Sequence, residues 1–345
     1  MLAVISIARY QRATKAGTGR FTGSITLKQM WYTDNLYRSK CEVAKRDILS
    51  VADFATGEVE QLVKKTIKGK NETWPQVLAG KNIAMLFEKP SLRTRMSFEL
   101  AVHQLGGYAI YMSPDEVGLG NRESVPDVAH VLSRYVQGVV ARTFLHRTLE
   151  TMAEYASIPV INALSDYEHP CQAMADLVTI YERKGKFKGL NLAFIGDGNN
   201  VANSLLIGCA MVGINFLIAT PQEYSMQDNV LRIANKYAEQ TDSHIMLLEE
   251  PAMAAKDADV IYTDVWTSMG QEEEYEQRRI AFAEYQVNEK LLSYAKKDVI
   301  VMHPLPAHHG EEVAVGIIDK YRSVIFDQAE NRLHFQRTLM AELYK

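Results

Sequence analysis

Ser91, Leu92, Arg93 and Thr94 stand in the run EKPSLRTR, directly after the apolar stretch NIAMLF and ahead of a segment with helical periodicity. Where a strand ends and a helix begins, the free N–H groups of the first turn and the positive end of the helix dipole make a seat for phosphate. Ser91 is a good N-cap, and Arg93 and Arg95 carry forks that bind phosphate oxygens two at a time. Taken alone, the run also fits a capped helix with two surface arginines. Arg142 closes the stretch GVVAR, which puts a charge at the carboxyl end of a strand, the edge where open α/β sheets bind ligands. In DYEHPCQ, His169 and Gln172 lie three residues apart across a proline suited to the first helical turn, so both side chains can face one spot. A neutral His can donate to a carbonyl oxygen and a Gln can accept from an amide NH2, although His169 is equally well read as a helix cap. Asp264 follows the apolar run VIY and needs a cationic partner if its surroundings close; solvent or a helix cap would serve it otherwise.

The elements that would position these groups alternate from Lys45 onward. Helices are predicted at Val51 to Thr66, Arg93 to Leu105, Val125 to Tyr135, Thr148 to Tyr155 and from about Val201. Strands are predicted at 82–87, 107–112, 138–142, 159–163, 190–197, 214–221, 244–248, 259–264 and 299–303. Short apolar runs between helices predict parallel sheets covered on both faces, an α/β fold. The polar stretch ERKGKFKG (182–189) suggests a boundary between a first domain, residues 44–183, and a second, residues 184–327. The segment from Ala329 to Lys345 reads as a helix, and residues 328–345 could return to pack on the first domain.

Composition narrows the function classes. With 345 residues, 47% of them apolar, the chain can bury a large core. A formal charge of −4, from 42 acidic and 38 basic residues, argues against nucleic acid or an anionic membrane as partner. Cys41, Cys171 and Cys209 are too few and too far apart for a disulfide framework or a zinc cluster, which fits a reducing compartment. No apolar run approaches the roughly 20 residues needed to span a bilayer. Residues 1–43 form a basic leader with Arg9, Arg12, Lys15, Arg20, Lys28, Arg38 and Lys40 against Asp34. It suits a mitochondrial targeting segment, a disordered extension or a start codon placed too early. The expected location is the cytoplasm, or the mitochondrial matrix if the leader is a transit segment.

SLRTR, the Arg142 strand, HPCQ, DVWTSMG and HPLPAHHGEEV occur in the order found in the aspartate/ornithine carbamoyltransferase family, and from about Lys45 to its end the chain resembles that family. GDGNN, DVWTSMG and FDQAENRLH look most like its ornithine branch. The resemblance implies two doubly wound parallel-sheet domains and a cleft between them, in which carbamoyl phosphate gives its carbamoyl group to the δ-amine of ornithine. It further implies that Ser91, Leu92, Arg93 and Thr94 hold the phosphate, that Thr94, Arg142 and His169 contact the carbonyl oxygen, and that Gln172 meets the amide nitrogen. Leu305 and Arg332 would complete the donor site. Asn200 would bind the acceptor's α-carboxylate and Asp264 its α-ammonium, with Ser268 and Met269 closing over it. Family members are generally trimers or assemblies of trimers, so a homotrimer is expected. Attack of a neutral amine through a tetrahedral oxyanion calls for positioning and oxyanion stabilisation, with no metal or organic cofactor.

Two positions depart from the family pattern. Pro304 stands in HPLP where ornithine enzymes usually have Cys, and Gly118 stands where the family commonly has a Gln or His that reaches a neighbouring subunit. A putrescine enzyme would share the donor site but have no use for DVWTSMG. A dehydrogenase would need the G-x-G-x-x-G spacing that GDGNNVAN lacks. A catalytically silent relative would bind carbamoyl phosphate without turnover.

Overall fold

Arg142 is placed by strand pairing. In β1 (Asn82–Phe87), β2 (Tyr108–Met112), β3 (Gly138–Arg142) and β4 (Val160–Leu164), pairing sets Phe87 opposite Arg142 at the carboxyl edge, and the register slips between Ala141 and Arg142. The strand order is β2-β1-β3-β4. A second sheet, ordered β7-β6-β5-β8-β9, holds β5 (Asn191–Ile195), β6 (Asn215–Ala219), β7 (Ile245–Leu248), β8 (Val260–Tyr262) and β9 (Ile300–Met302). All of these pairings are parallel, and parallel neighbours need crossover connections. The direction in which successive strands are added reverses between β1 and β3 in one sheet and between β5 and β8 in the other, the positions where open sheets leave a crevice. This computed structural model describes residues 45–120, 122–268 and 270–345; the basic leader and Met269 lie outside the described residues.

The principal helices are α1 (Glu58–Gly69), α2 (Leu92–Gln104), α3 (Val125–Tyr135), α4 (His146–Tyr155), α5 (Pro170–Lys184), α6 (Asn200–Val212), α7 (Asp228–Thr241) and α8 (Arg322–Leu343). From Pro170 to Ile180, α5 is buried at every position, because α1, α6 and α8 enclose it. One apolar cluster runs from Met85 and Phe87 through Met174 and Leu177 to Leu206 and Phe216, so both sheets share a core across α5. Truncating a fully buried leucine such as Leu177 to Ala costs about 2–5 kcal/mol. The last helix, α8, packs against α1, α2 and α5. Arg337 donates to Gln104 Oε1 (2.8 Å) and the Gly69 carbonyl (2.9 Å), and Tyr344 donates to the Gln137 carbonyl.

Two predicted helices have other limits in the structure. The segment read as one helix from Val51 to Thr66 is a single tight turn at Val51–Asp53 followed by α1. Asp53 Oδ2 accepts from the Leu49 and Ser50 N–H groups, Ser50 Oγ accepts from Ala52, and Gly57 at φ +85° opens α1 afresh. The final helix begins at Arg322 rather than Ala329. After Val324 and Ile325 its buried face turns polar at Gln328, Asn331, Arg332 and Gln336, so the apolar pattern is interrupted between its start and Phe335. Several strands are shorter than predicted; β8 spans three residues, since Asp259 and Thr263 turn side-chain oxygens to Asn191 N and Ile195 O.

Glu168 ties three elements together. Its carboxylate accepts from Ser50 Oγ and Val51 N ahead of α1 and from Ser204 Oγ on α6. Burial pushes its pKa up to about 7, and those three donors pull it back. A carboxyl raised above its unfolded value favours the fold most when protonated. Its contribution is therefore full below the ordinary value of 4.5 and declines as pH rises toward 7, by roughly 3 kcal/mol. Glu168→Gln is expected to flatten this part of the stability profile in urea titrations between about pH 5 and 8. An unchanged slope would assign the decline to other groups.

Candidate active site

The carboxyl edges of both sheets open onto one cleft of about 1070 Å³. Ser91, Leu92, Arg93, Thr94, Arg142, His169, Gln172, Asn200, Asp264, Ser268, Pro304, Leu305 and Arg332 all line it. Gly118 does not. It follows a short helix at φ +50°, where an added Cβ would lie 3.1 Å from the Arg122 side chain.

The wall formed by the first sheet and α8 is cationic. Ser91 caps α2, its Oγ accepting from Thr94 N at 3.3 Å. Arg332 crosses from α8 to donate Nη2 to Thr94 Oγ1 (2.6 Å) and Nη1 to Gln172 Oε1 (2.7 Å). Burial and the charges of Arg332 and Arg93 push Arg142 down to about 10; burial and Arg93 do the same to Arg332. Burial also lowers Arg93 and Lys89, and Lys89 lies over the Phe144 ring at 4.5 Å. Such mutual repulsion is reversed by a bound anion. The Nε groups of Arg142 and Arg332 are buried without a hydrogen-bond partner among the described residues, as is His169 Nδ1. Burial, then Arg332 and Arg142, hold the His169 pKa well below the ordinary 6.5, so its imidazole is neutral and can donate one N–H. Its side chain makes no helix cap; its backbone N–H donates to Ser204 Oγ at 2.8 Å.

The opposite wall mixes charge with amides. Asp264 follows β8, and burial raises its pKa against the pull of His303 and a hydrogen bond from Asn199 Nδ2 at 2.9 Å. Asn199 also caps α6 through Oδ1. The backbone there is held close: a Cβ on Gly198 would lie 2.8 Å from the Tyr224 carbonyl oxygen, so a side chain cannot be added without moving Asn199. Asn200 Nδ2 donates to the Ser165 carbonyl at 2.6 Å. In the loop after β8, Ser268 N donates to Gln271 Oε1 and Gly270 N to Glu272. Pro304 and Leu305 are presented by a buried pair. His303 Nδ1 accepts from Leu305 N (2.9 Å), so Nε2 carries the proton it donates to Glu312 (2.9 Å).

Several lining residues escape sequence reasoning. Lys89 sits two positions before Ser91 and was within reach of the phosphate argument. Asn199 is hidden by its neighbour Asn200. Arg278 is bonded to Asp197 (2.8 Å) and lies against the Tyr224 ring, but a lone arginine far along the chain carries no signal.

Known proteins share the sequence pattern and the fold. The family model "Aspartate/ornithine carbamoyltransferase, carbamoyl-P binding domain" matches residues 46–182, and "Aspartate/ornithine carbamoyltransferase, Asp/Orn binding domain" matches residues 188–343. The chain belongs to the aspartate/ornithine carbamoyltransferase family. It is 50% identical over 303 residues to the ornithine carbamoyltransferase of Thermococcus kodakarensis, covering 87% of this chain and 96% of that protein. It is 46% identical over 305 residues to the anabolic ornithine carbamoyltransferase of Pyrococcus furiosus, covering 87% and 96%. A solved structure of ornithine carbamoyltransferase from P. furiosus superposes with a TM-score of 0.83, covering 88% of this chain and 98% of that one. The two parallel sheets and the helix returning to the first of them are thus the carbamoyltransferase fold.

Proposed function

We propose that this chain transfers the carbamoyl group of carbamoyl phosphate to the δ-amine of L-ornithine, giving L-citrulline and phosphate for arginine biosynthesis. The observation that carries the donor half is the pair of buried arginines, Arg142 and Arg332, gathered with half-buried Arg93 at a helix N-terminus beside a neutral histidine and an amide. The acceptor half rests on the relatives, whose names specify ornithine.

In this reading the N–H groups at the start of α2, with Arg93 and Arg332, hold the phosphate. Thr94 Oγ1 accepts from Arg332, which leaves its own O–H to donate to the carbonyl oxygen alongside Arg142 and His169. The amine lone pair attacks the carbonyl carbon, the oxygen gathers negative charge against those donors, and the C–O bond to phosphate breaks while the amine loses a proton to solvent. Asn200, Asp264 and Ser268 hold the acceptor. His169, lowered well below 6.5, does not titrate above neutrality. A rise of activity with pH there is therefore not the titration of His169, and the acceptor amine is the reacting group that must lose a proton.

The reading includes a trimer in the cytoplasm. Among the described residues no helix is long and apolar enough to cross a membrane. Leu92, Met96 and Leu100 form an exposed stripe along α2, with Tyr108 and Ile110 exposed on the edge strand β2. A neighbouring copy would cover this face, and sedimentation should give three chain masses; a monomer would refute it.

Phosphate release, measured with ornithine, putrescine, lysine, aspartate or no acceptor, tests the whole assignment. Ornithine should be preferred by at least about tenfold, with citrulline formed. Preference for another amine would overturn the acceptor half. Donor binding without turnover would favour a silent relative.

A further inference from the structure

Asp176 lies on α5 one turn beyond Gln172, and nothing in the chemistry above uses it. Gln172 Nε2 donates to Asp176 Oδ1 at 2.8 Å, and Gln172 Oε1 accepts from Arg332 Nη1 at 2.7 Å. A flipped amide would set its oxygen against a carboxylate and its NH2 against a guanidinium, so both neighbours enforce one orientation. With one lone pair taken by Arg332, the Gln172 oxygen retains a second for the cleft it lines. Asp176 is itself pinned: Gln328 Nε2 donates to Oδ1 (2.8 Å) and the Tyr262 hydroxyl to Oδ2 (2.9 Å). Gln328 Oε1 accepts from His303 N (2.9 Å), so the same cluster reaches β8 and the loop of Pro304.

We infer that Asp176 is a positioning residue for donor selectivity, fixing the Gln172 carbonyl oxygen toward the cleft so that the site reads the NH2 of a carbamoyl group and rejects an acyl phosphate that lacks it. The inference rests on the carbamoyl phosphate reading of the cleft. Its physical basis is that a buried acceptor left unpaired by the wrong ligand costs more than a lost contact. Asp176 touches no reacting atom; it acts through Gln172 alone.

Binding of carbamoyl phosphate, acetyl phosphate and inorganic phosphate to the full chain, at about pH 8, tests this. Burial pushes Asp176 up to about 7, so it is the ionised acceptor there. The unaltered protein should prefer carbamoyl phosphate over acetyl phosphate. Asp176→Leu should lose about tenfold or more of that preference while its affinity for inorganic phosphate stays within about threefold. Asp176→Asn, whose amide oxygen can still accept from Gln172, should recover most of the loss. If Asp176→Leu does not fold, Asp176→Ser, too short to reach Gln172, is measured in its place. A retained preference overturns the inference, and so does equal weakening of all three ligands, which marks a purely structural role. Failure of the unaltered protein to bind carbamoyl phosphate would instead overturn the donor-site reading beneath it.

Discussion

Arg142→Ala is expected to lower kcat/KM for carbamoyl phosphate by about 10²- to 10³-fold, the usual cost of losing an oxyanion donor. The same change should leave the ligand-free protein as stable as before, or more so. Arg142 is pressed by the charges of Arg332 and Arg93, and its Nε has no partner among the described residues, so removing it relieves repulsion and orphans no carboxylate. Activity and melting temperature therefore move apart, which an ordinary destabilised variant cannot mimic. Steady-state kinetics beside a thermal melt reads both. Turnover within threefold of the original, on the order of 0.6 kcal/mol, would refute the oxyanion role.

Asp264→Ala should act on the other substrate. A buried carboxylate that meets an acceptor ammonium is worth about 2–5 kcal/mol of binding, so kcat/KM for ornithine should fall roughly 30- to 5000-fold. Carbamoyl phosphate affinity should change little, because Asp264 contributes only a distant favourable charge to Arg93. Burial raises the Asp264 pKa against the pull of His303 and Asn199, and its loss leaves Asn199 Nδ2 unpaired. Asp264→Asn separates the charge from the shape. Calorimetric titration of each substrate is the measurement, and equal loss with putrescine, which has no α-amino acid group, would count against the assignment.

The sequence disclosed the donor wall better than the acceptor wall, for a physical reason. Ser91 to Thr94, Arg142, His169 and Gln172 sit at strand ends and first turns, places that punctuation marks in any α/β chain. Arg332 was legible only through family resemblance, since it lies inside a helix whose buried face mixes polar and apolar residues. The bond from Gln328 to Asp176 spans 152 positions, and no local pattern records such a contact. The first turn at Val51 was misread as helix because apolar spacing continues through it, while the Ser50–Asp53 caps that break it use ordinary polar residues. Short apolar runs fixed strand order poorly but strand identity well, as the three-residue β8 and β9 still lie among the predicted strands.

Arg332 meets Thr94 across 238 positions of chain. A ribosome emits the first sheet and the start of α2 long before it emits α8, so the anion seat stays one arginine short until residue 332 has been made. A polypeptide released before residue 332 lacks the cation that joins Thr94 to Gln172. The proposed anion seat is in this sense a joint between two distant stretches of one chain, closed only when α8 docks.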